Sequence, residues 1–349
     1  MKNEKHTSVV RLTSLALLAA LVVVLQTVAS SIKFGPIPIT LTLVPIVIGA
    51  ILYGPSAGAL LGAIIALLML AFFVQLAAAG SDAWKTFGLR FLISTEWDPA
   101  AGRYGALPGI AGTVITTAIA LILALPPAFS AALYLVDARP AVGAVLSHAI
   151  DLLAAIPSVI YGMWGLFVLA PLMQNHVQPF LVNVLHLDAL PFVSDKYNGF
   201  GLLTAGLILA VMILPYICAI MRDVFRMTPA VLRESAYGIG CTKYEAAKDI
   251  VLRYGIRGIL GGVFIGLGRA LGETMAVLFV IGNLMELPDN LFASAATISS
   301  TLANNFAEAD GLERSALFAL GLILLAMSFG IQTLAQSYLN ATSAKRGEK

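Results

Sequence analysis

Residues 222–257 read RDVFRMTPAVLRESAYGIGCTKYEAAKDIVLRYGIR, and this stretch decides the fold class. It carries seven basic and four acidic residues between two apolar segments, in a chain that is 59% hydrophobic and 11% charged. Soluble domains carry roughly 25% charged residues, so the composition is that of a membrane protein. A charged run of this length cannot lie in hydrocarbon; it must face water between two spans and meet something there. Thr228 before Pro229 predicts an N-cap with proline at the first helical position. Gly238 and Gly240 predict a break. Thr242, three residues before Glu245, predicts a capping box that opens a second helix from Lys243 towards Arg253. The expectation is a helix, a glycine turn and a helix held on the membrane surface. A solvated linker that happens to be helical fits the same pattern.

Working outward, the apolar runs set the spans. Leu12–Ser31 reads as a span because no cleavage site follows it. Pro36–Tyr53 is a shorter run, interrupted by Pro38 and Pro45, and Ala57–Ala79 is long enough to cross. A polar segment from Gly80 to Gly109 holds Trp84, Trp97 and Tyr104, candidate interface anchors. Further spans are expected near Ile110–Val136, Val142–Leu172, Phe200–Met221, Gly258–Gly282 and Ser315–Leu339. With eight crossings and both termini inside, the inside collects Lys2, Lys5, Arg11, Arg139, the seven bases of the central loop, Lys345, Arg346 and Lys349. The outside keeps Lys33, Lys85, Arg90, Arg103, Lys196 and Arg314. That asymmetry predicts cytoplasmic termini and a cytoplasmic central loop.

Several function classes are excluded. A net charge of +2 is too small to argue for nucleic acid or an acidic substrate. Cys218 and Cys241 have no metal spacing, and His6, His148, His176 and His186 form no ligand cluster, so no metal site is expected. A phosphate-cradling Gly-x-x-x-x-Gly-Lys-Ser/Thr loop is absent, so any ATP hydrolysis would have to come from a partner. No nucleophile–base or metal constellation can be assembled, so an enzyme reading is the weakest, and no cofactor is expected on this chain.

One ionisable pair is buried by sequence. Arg269 falls about eleven residues into the Gly258–Gly282 run, roughly 16 Å at 1.5 Å per residue, near the bilayer centre. Glu273, four residues on, is expected on the same helical face. Such residues mark a pathway or a structural salt bridge, and either reading fits here. As a pathway, the guanidinium fork matches an oxyanion and Glu273 holds the charge when no anion is present. Gly258, Gly262, Gly266, Gly268 and Gly272 predict close helix packing. Ser158, Tyr161 and Thr274 are further polar candidates that could equally bond backbone.

The run Glu234-Ser235-Ala236, then Gly240, then Ile250-Val251-Leu252 resembles the EAA loop of ABC importer permeases. Ser235 stands where that family has Ala, and Arg253 where it has Pro. In the family this loop docks into a cleft on the ATP-hydrolysing subunit, which the likeness implies for Glu234, Ser235, Ala236, Gly240, Ile250 and Leu252. Longer runs sharpen the likeness: ESAYGIGCT (234–242), GLGRALGETMAV (266–277), LLAAIPSVIYGMWGLF (152–167) and STEWDP (94–99). Over residues 86–345 the chain resembles the PstC-type permeases of phosphate-specific ABC importers.

That resemblance implies an all-α integral membrane protein with a MetI-like core of six transmembrane helices, plus about two extra N-terminal hydrophobic segments. The permease core would be residues 57–349, with the docking loop at 222–257 and the extra segments at 1–56. It also implies a second related permease (PstA-like), an ATPase dimer (PstB-like) that uses the ATP, an external phosphate-binding protein (PstS-like) and a bacterial inner-membrane location. Inorganic phosphate is the implied cargo. Another oxyanion, sulfate or molybdate, or a non-transporting scaffold or sensor, remain the alternatives. The N-terminal stretch from Phe34-Gly35-Pro36 to Gly54-Pro55-Ser56-Ala57-Gly58 resembles the membrane-embedded substrate-binding subunits of energy-coupling-factor vitamin importers. In the phosphate family one span precedes the STEWDP segment, so the first two runs here read as grafted on.

Overall fold

The computed structural model describes residues 13–25, 43–186, 189, 192–194 and 196–344. The polar N-terminal residues, Lys33, the start of the Pro36 run and the tail with Lys345, Arg346 and Lys349 lie outside the described residues. The expected cytoplasmic termini therefore rest on sequence. Among the described residues there is no β-sheet, only the isolated bridges Asp98–Arg103 and Gly282–Ala295.

The chain forms two compact units, Met1–Ala79 and Gly80–Lys349. The first contains α1 (Thr13–Leu25), α2 (Leu43–Tyr53) and α3 (Pro55–Ala79). Gly54 at φ +89° makes the turn between α2 and α3, a conformation that costs glycine nothing. Pro55 opens α3, where its missing N–H is no loss.

The second unit contains α4 (Ser81–Phe87), α5 (Arg90–Ile93), α6 (Leu107–Asp137), α7 (Pro140–Ala155), α8 (Ser158–Asn183) and α9 (Leu202–Arg226). These are followed by α10 (Ala230–Gly238), α11 (Lys243–Leu271), α12 (Met275–Leu278), α13 (Ile298–Asn305) and α14 (Gly311–Ala344). Across both units five helices are long and apolar enough to cross a membrane, six if α7 and α8 count as one bent span. The remaining apolar helices, α1 and part of α2, are shorter.

Helix α9 is the centre of the second unit. Of its apolar window 61% is buried, against 28% for α6 and for α11. A long helix whose apolar residues are enclosed on most sides is what a bundle core requires. Its Ile208, Leu209, Met212, Ile213 and Ile217 are fully enclosed. The glycines of α11 are the reason it lies so close: a Cβ on Gly266 would sit 2.7 Å from Ile217, and one on Gly262 3.0 Å from Ile220. Gly258 meets Val224 in the same way. Without a hydrophobic force between helices in lipid, such small-residue faces let van der Waals contact hold them.

A second cluster joins α4, α5 and the loop before α6 to α13 and α14. Trp97 and Tyr104 meet edge to face at 5.0 Å, Trp84 and Phe91 at 5.7 Å. The three aromatic residues read as interface anchors are therefore members of a packed cluster, with Tyr104 only 4% exposed.

Two expected spans and the expected surface helix differ in the structure. The Val142–Leu172 run is two helices meeting at 89°, because Pro157 removes a donor and Ile156 before it is driven extended. The surface helix expected from Lys243 and the span expected from Gly258 are a single helix, α11; with Arg253 in place of a proline, nothing terminates it. At its far end α11 stops at Leu271 rather than Gly282, with Gly272 as its C-cap.

Candidate functional site

Two regions carry the residues singled out by sequence, at opposite ends of α11. The first is the turn between α10 and α11. Gly240 adopts φ +92°. Its N–H donates to the Tyr237 carbonyl at 3.0 Å, and the Cys241 N–H donates to the Ala236 carbonyl at 3.0 Å. These two bonds are a Schellman closure, which needs a left-handed residue at the first position past the cap. Gly238 remains helical, so Gly240 alone makes the turn.

The capping box forms as expected. Glu245 N–H donates to Thr242 Oγ1 at 3.3 Å, and Thr242 N–H donates to Glu245 Oε2 at 2.7 Å. The backbone bond from Thr242, then its hydroxyl, holds the Glu245 carboxyl below its ordinary value. Thr228 does not act as a cap: Pro229 occupies the N-cap position of α10, and the Thr228 hydroxyl is buried without a partner.

Glu234, Ser235 and Gly240 are exposed, Ile250 and Leu252 are half-buried, and Ala236 is buried where α10 packs on α11. Sequence reasoning missed what surrounds them. Val231, Ile239 and Tyr244 stand 69%, 83% and 73% exposed, an apolar set on a charged loop. Arg233 anchors the loop, donating to the Phe225 carbonyl at 2.7 Å and lying 3.7 Å from Asp137 at the end of α6.

The second region is the far end of α11. Arg269 lies in its last turn, and Glu273 lies beyond the helix end in the Gly272–Thr274 break. The two therefore do not share a helical face, and among the described residues no ion pair joins them. Each instead sits on the helix end that suits its charge. Arg269 is at the carbonyl end of α11, and Glu273 Oε1 accepts from the Ala276 N–H at 3.3 Å at the amide end of α12.

The guanidinium of Arg269 stacks on the Tyr216 ring of α9, 4.0 Å from the centroid. Its Nε is buried with no hydrogen-bond partner. Tyr216 donates its hydroxyl to the Ala154 carbonyl, and Tyr161 donates to the Leu153 carbonyl at 2.9 Å. These carbonyls are freed where α7 ends before the proline bend, and in a membrane they must find a donor. So Tyr161 bonds backbone, Ser158 is buried at the start of α8, and Thr274 lies 3.5 Å from the Gly272 carbonyl. Tyr216 was missed by sequence; its signal is a phenol inside an apolar span, one residue after Pro215.

Magnitudes decide how complete this arrangement is. A desolvated cation–π contact is worth about 2 kcal/mol. Burying an unpaired charge costs several kcal/mol. The Tyr216 ring orients Arg269 but does not neutralise it, so the site as built can accept an anion.

A family model described as "Binding-protein-dependent transport system inner membrane component" matches residues 124–341, which contain both regions. The chain is 46% identical over 288 residues to the "Phosphate transport system permease protein PstC" of Pasteurella multocida, covering 81% of this chain and 89% of that one. With the protein of the same name from Mesorhizobium japonicum it shares 49% over 280 residues, 78% of this chain and 85% of the relative. A more distant relative, from Methanocaldococcus jannaschii, is 35% identical over 73% of this chain and 82% of its own. Among solved structures, the MetNI methionine ABC transporter in its native CY5 crystal form aligns with a TM-score of 0.50 at 14% identity. That alignment covers 68% of this chain and 95% of that one, a likeness of fold alone. The chain belongs to the binding-protein-dependent transport system inner membrane component family, and within it to the PstC permeases.

Proposed function

We propose that the chain is the permease subunit through which an ATP-driven importer moves inorganic phosphate into the cytoplasm by alternating access. The observation that carries this reading is the 46% identity with a phosphate permease along 89% of that relative's length. The geometry supports it in two places. Arg269 presents a half-buried guanidinium with a buried, unpartnered Nε, the group whose fork suits a tetrahedral oxyanion. Glu273, a short distance along the chain, keeps the site from holding an anion too tightly to release.

The exposed Val231, Ile239 and Tyr244 beside Glu234 support docking of a separate ATPase subunit on the α10–α11 turn. In this reading ATP is hydrolysed there, this chain binds no cofactor, and the loop faces the cytoplasm. A second, related permease completes the path, and an external binding protein delivers phosphate. Because α11 runs unbroken from Lys243 to Leu271, movement of the docked turn is carried along about 39 Å of helix to Arg269.

The test is labelled-phosphate uptake in cells lacking their own high-affinity importer, given this chain with its partner subunits, with sulfate and molybdate as competitors. Uptake that requires the ATPase and resists both competitors is expected. An assembled, ATP-hydrolysing complex that takes up no phosphate would overturn the phosphate reading.

A further inference from the structure

A cleft of about 420 Å³ opens between the end of α6, the first turns of α7 and the end of α9. It lies on the side of the α10–α11 loop, away from Arg269, and the transport reading does not use it. Its polar wall is Ser147, His148, Asp151, Arg222 and Arg226.

The charges are unequal. Arg222 is 9% exposed and matched, with Nη1 3.3 Å from Asp151 and Nε 2.9 Å from Asp223. Arg226 is exposed and has no ion-pair partner among the described residues. Ser147 is only 8% exposed, and its hydroxyl oxygen is buried with no hydrogen-bond partner. His148 Nδ1 is engaged with the Ala144 carbonyl at 2.7 Å, leaving Nε2 available. Helix α7, sixteen residues long, begins at the cleft with no side-chain cap on its first amides. A buried hydroxyl without a partner is costly and points to something that meets it.

A cation here would face two guanidinium groups and a helix N-terminus. An arginine fork and a hydroxyl are donors that suit a phosphate oxyanion. The other walls, Leu135, Val136 and Pro140, are apolar, so the cleft also suits a phosphodiester that carries acyl chains. We propose that this cleft is a phosphoryl-binding site, in which Arg226 and Ser147 hold the group. The inference stands on the cleft and is independent of which anion the permease carries.

The test uses the membrane complex of this chain with its partner permease and the ATPase, without the external binding protein, and carrying Arg269→Gln, so that neither the binding protein nor the Arg269 region contributes to the signal. One arm measures equilibrium binding of labelled orthophosphate after delipidation. The other counts phosphatidylglycerol retained per complex by native mass spectrometry from phosphatidylglycerol nanodiscs. Arg226→Ala and Ser147→Ala are compared with Arg226→Lys, which keeps the charge. Arg226 is exposed and the Ser147 hydroxyl has no partner, so neither change removes a contact that holds the fold; size exclusion checks assembly.

We expect one probe to bind, to weaken about tenfold or more in both alanine variants, and to be retained in Arg226→Lys. Orthophosphate binding identifies a free anion as the ligand, and retained phosphatidylglycerol without orthophosphate binding identifies a lipid headgroup. Binding of neither probe, or binding that survives both alanine changes, overturns the site.

Discussion

At the scale of single residues, Arg269 concentrates the consequences. Its charge is oriented by Tyr216 and left without a hydrogen bond at Nε. A charged hydrogen bond to an anion is worth about 1.5–3 kcal/mol, so Arg269→Gln should lower phosphate uptake by about ten- to a hundredfold. The complex should still assemble, which co-purification of the subunits checks. Unchanged uptake would remove Arg269 from the path. Tyr216 separates two roles. Tyr216→Phe keeps the ring under the guanidinium but orphans the Ala154 carbonyl, a cost of about 1–3 kcal/mol. A lower melting temperature with uptake per assembled complex preserved is the expected result. Tyr216→Leu also removes the ring, and uptake per complex should fall with it.

At the scale of elements, the α10–α11 turn depends on one backbone conformation and one cap. Gly240 at φ +92° has open space around it, so a substitution there is penalised by backbone strain rather than by a clash. Gly240→Asp should cost on the order of 1–2 kcal/mol locally and displace the exposed Val231, Ile239 and Tyr244. The readout is loss of ATPase co-purification together with loss of uptake; normal values of both would count against the docking role. The Glu245 cap adds a pH dependence. Its folded-state carboxyl titrates below the ordinary value of 4.5, so its stabilisation is full above that value and is lost as pH falls through the lowered one. Protection factors for the amides of residues 243–248, with the intrinsic pH dependence of exchange divided out, should therefore be flat from neutral pH down to about pH 4.5 and fall below it, and Thr242→Ala should abolish that step.

At the scale of the whole molecule, α11 links two sites that lie far apart, and the orientation of the chain decides which side each faces. Two native cysteines report on it. Cys218 is fully buried in α9, and Cys241 is partly exposed on the α10–α11 turn. A membrane-impermeant maleimide should label Cys241 from the cytoplasmic face of oriented vesicles, slowly or not at all once the ATPase is bound, and should leave Cys218 unmodified. Labelling of Cys241 from the opposite face would invert the topology.

Much of this was legible before any coordinates. The charged run at 222–257, the glycine ladder of α11, and the Thr242–Glu245 cap are local patterns. Period, charge and capping chemistry act within a few residues, so sequence alone determined a helical membrane protein with a structured polar loop and an arginine within an apolar run. Tertiary structure decided the rest. That Arg269 and Glu273 occupy two different helix ends depends on where α11 stops, and Gly272 alone does not say so. That Tyr216 lies under the guanidinium depends on α9 packing against α11, and that its hydroxyl finds the Ala154 carbonyl depends on α7 bending away at Pro157. Those contacts join residues more than fifty apart in the chain, where no local pattern reaches.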